Sequence, residues 1–259
     1  MRGLHCRGQR ELGGTYLEFD AKDQAALDRL VSDLRDLHGQ ALVAVALTGE
    51  AASPAYRPRK SELTTVVVIS EINASVLRTV RGKIRAWGRL RLATPLLMDS
   101  LYIETSRDVF PIEFLDLRER HRLLFGEVDP FADLAIDVEH LRLEVEEQLR
   151  GKMLHLWEAY LETAGSRRQL RRLLLETPAS FAPILRGLLH LRQMAGQAGA
   201  PSGDLLADVE GAVGVTLPVF RRLLAVQHGD AALGTSEHEE VFEGYLAEVR
   251  RLVRVSDAR

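Results

Sequence analysis

The sequence predicts an α+β protein: a small mixed sheet flanked by helices, followed by an all-α helical bundle. Three observations carry that expectation. Helix-type and strand-type apolar spacings alternate through the first half of the chain. From about residue 132 every apolar pattern repeats at helical spacing. Between the two lies GEVDPFADLAID (126–137), where the pattern changes, which divides the chain into an α/β domain at 1–130 and a helical domain at 131–259.

The elements follow in order. AALDRLVSDLRDL (25–37) spaces Leu27, Leu30, Val31, Leu34 and Leu37 as a helix, with Gly39 as its stop. LVAVALT (42–48) is a short apolar run of the kind found in buried strands. LTTVVVIS (63–70), rich in β-branched residues, is the clearest strand signal. ASVLRTVRGKIRAWGRL (74–90) is a basic amphipathic helix with Arg78, Arg81, Arg85 and Arg89 on one face and Lys83 and Arg91 nearby. Its bland reading is a solvated helix side. DVFPIEFLDL (108–117) reads as a third strand, lying at an edge or pairing only in part because Pro111 removes a ladder donor. VEHLRLEVEEQLRGKMLHLWEAYLETAG (138–165) carries Leu141, Val145, Leu149, Met153, Leu156 and Tyr160 in one stripe and ends at Gly165. Further helices are expected near 166–176, 179–195, 203–213, 216–228 and 235–254. The Gly-rich segment 196–204 separates two of them, and no fixed-period repeat is visible.

Composition narrows the function classes. The 259 residues are 46% hydrophobic and 27% charged with a formal net charge of −3, so no global basic field points to nucleic acid or an anionic membrane. Cys6 is the single cysteine, which leaves no intramolecular disulfide and suits a reducing compartment. CxxC and HExxH patterns are absent. The N-terminal MRGLHCRGQRELGG lacks the apolar core of a secretory signal, and no apolar run reaches membrane-spanning length. A cytoplasmic location is expected.

The stretch LTGEAASPAYRPRKSELTTVVVIS (47–70) carries the chemistry. A tight Gly turn after a strand exposes backbone N–H groups to phosphate. Acids at alternate positions of the next strand share a face and can hold Mg²⁺. In this order of elements the sequence resembles the nucleotidyltransferase fold shared by DNA polymerase β, kanamycin nucleotidyltransferase and the minimal nucleotidyltransferases. Their pattern is a strand ending in Gly-Ser, a loop, Asp-x-Asp opening the second strand, and a third acid from a later strand. The likeness covers roughly residues 25–130, and the helical second half resembles the bundle that follows this domain in the kanamycin enzyme. VFPIEFLDLRERHRLLFGE (109–127) is similar to a segment of bacterial predicted nucleotidyltransferases.

The resemblance implies an activity: transfer of a nucleoside monophosphate from an NTP to a hydroxyl of a small molecule, RNA or protein, with Mg²⁺. It places Gly49 at the phosphate turn, Glu50 at the Ser position, Glu62 at the first Asp and Thr64 at the second, with Glu113 as third acid. Glu62 and Glu113 would be the catalytic metal ligands, joined by Glu50. Arg57, Arg59, Lys60 and Ser61 lie between the turn and Glu62, within reach of a triphosphate. Thr64 departs from the pattern, since a neutral hydroxyl is a poor Mg²⁺ ligand in place of a carboxylate. The metal site is therefore expected to be degenerate. Without it, Glu62 is a polar residue at a strand start and Glu113 a solvent-facing acid, on a non-catalytic protein that senses a nucleotide or docks a partner.

A third reading comes from RRLLAVQHG (221–229). Arg222 and His228 match the Arg-to-His spacing of HEPN ribonucleases, which such a His serves as general base. Leu223 departs from the polar residue usual after the Arg, and Gly229 marks His228 as a last-turn residue favoured by the helix dipole. SRRQLRR (166–172) near Glu176 reads as a charged helix surface, Glu146 and Arg150 as a surface pair, and Trp87 and Trp157 as packing residues.

Overall fold

The computed structural model describes residues 19–199 and 201–257. Cys6 and the N-terminal segment judged against a secretory signal lie outside the described residues. The chain groups into two compact units. One runs to Tyr102 and takes in Arg120–Pro130; the other comprises Ile103–Glu119 and the chain from Phe131 onward.

The first unit opens with α1 (Ala21–His38), started by Asp20, whose carboxylate accepts the Lys22 N–H, and ended at Gly39 with φ 50°. Ala26, Leu27, Leu30 and Leu34 form its buried face. Strands β1 (Leu42–Thr48) and β2 (Thr64–Ile69) pair antiparallel, with Thr48 opposite Thr64 and Val45 opposite Val67. Side chains alternate across this pair. Val45, Leu47, Leu63, Val67 and Ile69 pack with the α1 stripe and Trp87. Ala44, Ala46, Val66 and Val68, on the opposite face, are buried too.

The basic stretch forms two short helices rather than one, α2 (Ala74–Arg81) and α3 (Ile84–Arg89), separated at Gly82. A mid-helix Gly gives up about 1 kcal/mol of helix propensity. Lys83 and Trp87 are drawn instead to Asp33 of α1, at 3.2 Å and 3.0 Å. Strand β3 (Leu96–Met98) then runs parallel to β2, the crossover connection that a helical segment permits. Helix α4 (Ser100–Ser106) follows.

The expected edge strand at 108–117 is corrected: Pro111 begins helix α5 (Pro111–Glu119). Proline is favoured in a first helical turn, where its missing N–H has no partner to lose. The neighbouring Ile112 N–H is taken by the Glu144 carboxylate at 2.8 Å. The apolar spacing suits a helix equally, since Ile112 and Leu115 share a face and are buried in the helical core. The edge position belongs to β4 (Arg122–Phe125), antiparallel to β1, and the sheet order is β3-β2-β1-β4.

The second unit contains α5 with α6 (Val138–Glu162), α7 (Arg167–Glu176), α8 (Ala182–Met194), α9 (Leu205–Val213), α10 (Pro218–His228) and α11 (His238–Asp257). Leu141, Val145, Leu149 and Leu156 of α6 are buried, and Tyr160 stacks on Phe242 at 4.3 Å. Phe181, Phe220 and Tyr245 meet edge to face at the centre. Gly187 lets α8 approach α6, because a Cβ there would stand 2.9 Å from Val145 Cγ2. The SRRQLRR cluster carries the Arg172–Glu176 pair at 2.8 Å, and Arg150 reaches Glu146 at 3.4 Å. Trp87 is buried, whereas Trp157 is 37% exposed. Among the described residues no helix is long and apolar enough to cross a membrane.

Candidate functional site

Gly49 follows β1 directly and takes φ +68°, a left-handed backbone that favours glycine. A Cβ at this position would stand 2.8 Å from Thr64 Oγ1. The Thr64 hydroxyl is committed: it donates to the Thr48 carbonyl at 2.9 Å, while the Thr48 hydroxyl faces it at 3.4 Å. The turn and Thr64 thus stand side by side, and the position to which the resemblance assigns a carboxylate holds a hydrogen-bonded threonine.

Glu50 stands in a short 3₁₀ turn (Gly49–Ala52) beside Gly49. Its Oε1 accepts from Arg57 Nε and pairs with Arg57 Nη2, both at 3.0 Å. Glu50 and the first loop cation therefore neutralise each other. Ser61 is buried, and its Oγ accepts the Arg57 N–H at 2.8 Å. Glu62 and Lys60 are exposed.

The strand beside β2 brings no acid to this end of the sheet. Leu63 bridges Leu92, the Ala93 N–H donates to the Leu63 carbonyl at 3.1 Å, and residues 91–98, which run beside the start of β2, contain no acid. Asp99 follows β3 at the far end, where it accepts the Tyr102 N–H at 2.8 Å. Glu113 sits on α5, in the other unit. Among the described residues no group of three or more His, Cys, Asp or Glu side chains stands together to hold a metal ion. With Thr64 neutral and Glu50 tied to Arg57, the residues do not fit the Mg²⁺ triad that the resemblance implies.

Sequence reading missed the residue that organises the loop. Asp23, on the inward face of α1, is fully buried. It accepts from the Tyr56 hydroxyl at 2.8 Å, the Arg59 N–H at 3.0 Å and Arg59 Nη1 at 3.1 Å. Burial pushes its carboxyl up, but the Arg59 N–H, the Tyr56 hydroxyl and the Arg59 guanidinium outweigh burial and hold it below the ordinary range. Burial and donation to Asp23 raise the Tyr56 phenol. Arg59 is thereby turned toward α1. The signal was present in the sequence: Asp23 precedes Leu27 by one helical turn on the apolar stripe, a place where a lone charge needs partners.

Glu113 has a different setting. It lines a cavity of about 380 Å³ with Asp108, His140, Glu144 and Glu147. Burial, with the neighbouring Glu113 carboxyl, pushes Glu144 up to about 7 despite the N–H donated by Ile112. The ribonuclease pair is not brought together. Arg222 pairs with Glu237 at 2.6 Å, while His228 is exposed in the last turn of α10. Six residues at 3.6 per turn put the two about 120° apart around the helix.

No protein-family model matches the chain, and no curated protein matches it in sequence. Among solved structures it is similar to spectinomycin adenyltransferase AAD(9) from Enterococcus faecialis with ATP and spectinomycin. The TM-score is 0.52 at 10% identity, covering 88% of this chain and 98% of that one. A mixed sheet with flanking helices, a glycine turn leading toward β2 and a helical second half thus have one common description: the chain has the nucleotidyltransferase fold.

Proposed function

We propose that this protein binds a nucleoside triphosphate through its nucleotidyltransferase fold without transferring the nucleotidyl group. The observation that carries the reading is Thr64, whose hydroxyl is spent on the Thr48 carbonyl where metal-dependent transfer needs a carboxylate. The Glu50–Arg57 pair and the acid-free start of β3 support it from two further directions. The similar adenyltransferase was solved with ATP, which supports a nucleotide as the ligand class. The alternative of an active transferase acting on a hydroxyl acceptor requires Glu50 to abandon Arg57 and join Glu62 around Mg²⁺.

Calorimetric titration with ATP, with and without Mg²⁺, separates these readings on the wild type and on Glu62→Ala. Binding that changes by less than about threefold, under 1 kcal/mol, on adding Mg²⁺ or removing Glu62 is the expected result, with no pyrophosphate released. Binding that requires Mg²⁺, disappears in Glu62→Ala and accompanies pyrophosphate release would restore the transferase. Absence of any ATP binding would leave partner docking as the role of the fold.

A further inference from the structure

A second cavity lies in the sheet unit, between the first turns of α1, the loop at Arg59 and the chain leaving α3. It is an open surface pocket of about 350 Å³, lined by Lys22, Arg29, Arg59, Arg89 and Arg91 with Ala25, Ala26 and Leu90. No carboxylate is among its lining residues. We propose that this cavity binds an oligophosphate, two or more adjacent phosphate groups, carried by a nucleoside polyphosphate or free as inorganic tripolyphosphate.

Charge is the first argument. Five cations converge in a chain whose net charge is −3. Two carboxylates stand behind them: Asp23 beside Arg59 and Arg91, and Asp33 beside Arg29, the latter shared with Lys83. The wall therefore keeps an excess of positive charge, and a concave basic wall focuses its field on an incoming anion. Chemistry is the second argument, since planar guanidinium groups with several donors each match phosphate oxygens.

Preorganisation is the third. Asp23 holds Arg59 from below through both its backbone N–H and its guanidinium. Arg91 Nη2 donates to the Ser61 carbonyl at 3.3 Å. Arg91 Nη1 is buried without a hydrogen bond, 3.7 Å from Asp23 Oδ1. Arg59 and Arg91 both adopt left-handed backbones, φ 60° and 67°, which cost a non-glycine residue energy and set these side chains at the cavity wall. The volume is about ten times the ~30 Å³ of one water, room for more than a single phosphate. Leu63, Val67 and Ile69 face α1, so alternation places Glu62 and Thr64 on the opposite face of the sheet. The inference therefore stands whether or not the proposed nucleotide reading is right.

Calorimetry on the full chain without Mg²⁺, at low ionic strength, with sodium tripolyphosphate and with ATP, tests it. Lys22→Gln/Arg89→Gln is the informative variant, because among the described residues neither side chain is held by a carboxylate. It should weaken tripolyphosphate binding about tenfold or more while leaving the melting temperature unchanged. Arg81→Gln/Arg85→Gln removes two exposed cations outside the cavity and should change binding less than about twofold. ATP binding about tenfold tighter than tripolyphosphate, and lost in the same variant, identifies a nucleotide as the ligand; equal affinities identify bare oligophosphate. The inference is overturned by no tripolyphosphate binding, by equal weakening in both variants, or by binding seen with a single-stranded RNA alone. ATP binding that persists in Lys22→Gln/Arg89→Gln while tripolyphosphate fails to bind would sink this site and leave the nucleotide reading intact.

Discussion

A carboxylate with no solvent contact survives in a fold only when its donors outweigh the hydration it gives up. Asp23 meets that condition with Tyr56, Arg59 and Arg91, and in doing so ties residues 56–61 to α1. Asp23→Ala should destabilise the sheet unit by about 3 kcal/mol or more, leaving Arg59 and Tyr56 without their acceptor. Denaturant unfolding would measure the loss, and limited proteolysis should find new cleavage within 53–61. Two buried glutamates act in the opposite electrostatic sense. Glu144 accepts the Ile112 N–H at the start of α5, and Glu248 accepts the Val219 and Phe220 N–H groups at the start of α10. Burial raises both carboxyls above their ordinary values. A raised folded-state pKa means that the native protein binds the proton more tightly than the unfolded chain does. That stability is complete below about pH 4.5 and is lost as pH rises through about 7 for Glu144. The loss is capped at about 3 kcal/mol. Thermal melts from pH 5 to pH 8 should show it, and Glu144→Gln should flatten the profile. The carboxyls of Asp23 and Asp33 are lowered, so their contribution is present at neutral pH and is lost only in acid, below about pH 4.

Elements differ in how openly the sequence announces them. α1 and α6 to α11 were legible because their apolar residues repeat at helical spacing over nine or more positions, and β1 and β2 because their apolar, β-branched runs are bounded by turn formers. β3 and β4 were missed because three or four residues are too few to show a period. α5 was misread because VFPIEFL alternates and repeats at three at the same time. The helix that forms takes part of its N-terminal capping from Glu144, 32 residues later in the chain and outside the reach of local pattern. The site divides likewise. Local order sets Gly49 and Glu50 just after β1 and Glu62 and Thr64 at the start of β2, whereas the partners of Arg57, Arg59 and Asp23 depend on how the loop folds back. The β1–β2 junction makes a sharp prediction. Gly49→Ala forces a Cβ into a left-handed residue and against Thr64 Oγ1, costing about 1–2 kcal/mol. Thr64→Ala in the same background should recover part of that loss, a coupling that a double-mutant cycle would read. In the helical unit, Gly187→Val should cost about 1–3 kcal/mol through its contact with Val145.

At the scale of the molecule, the two compact units are not two consecutive pieces of chain. Residues 103–119 belong with the helices, while residues 120–130, which contain β4, return to the sheet unit. A fragment 131–259 therefore lacks α5 and uncovers Leu141, Val145 and Gly187, which pack near Ile112. A fragment 103–259 keeps α5 and should unfold at clearly higher denaturant than 131–259, which circular dichroism would follow. The same threading sets an order of events during synthesis. The edge strand that completes the sheet leaves the ribosome only after α5, whose partners on α6 and α8 are still to come. From Glu119 to the start of α8 is roughly sixty residues, several seconds of translation at ~5–20 residues per second. For that interval Ile112 and Leu115 lack their α8 partners, and until α6 emerges they lack those on α6 too, which leaves the apolar face of α5 open to a chaperone.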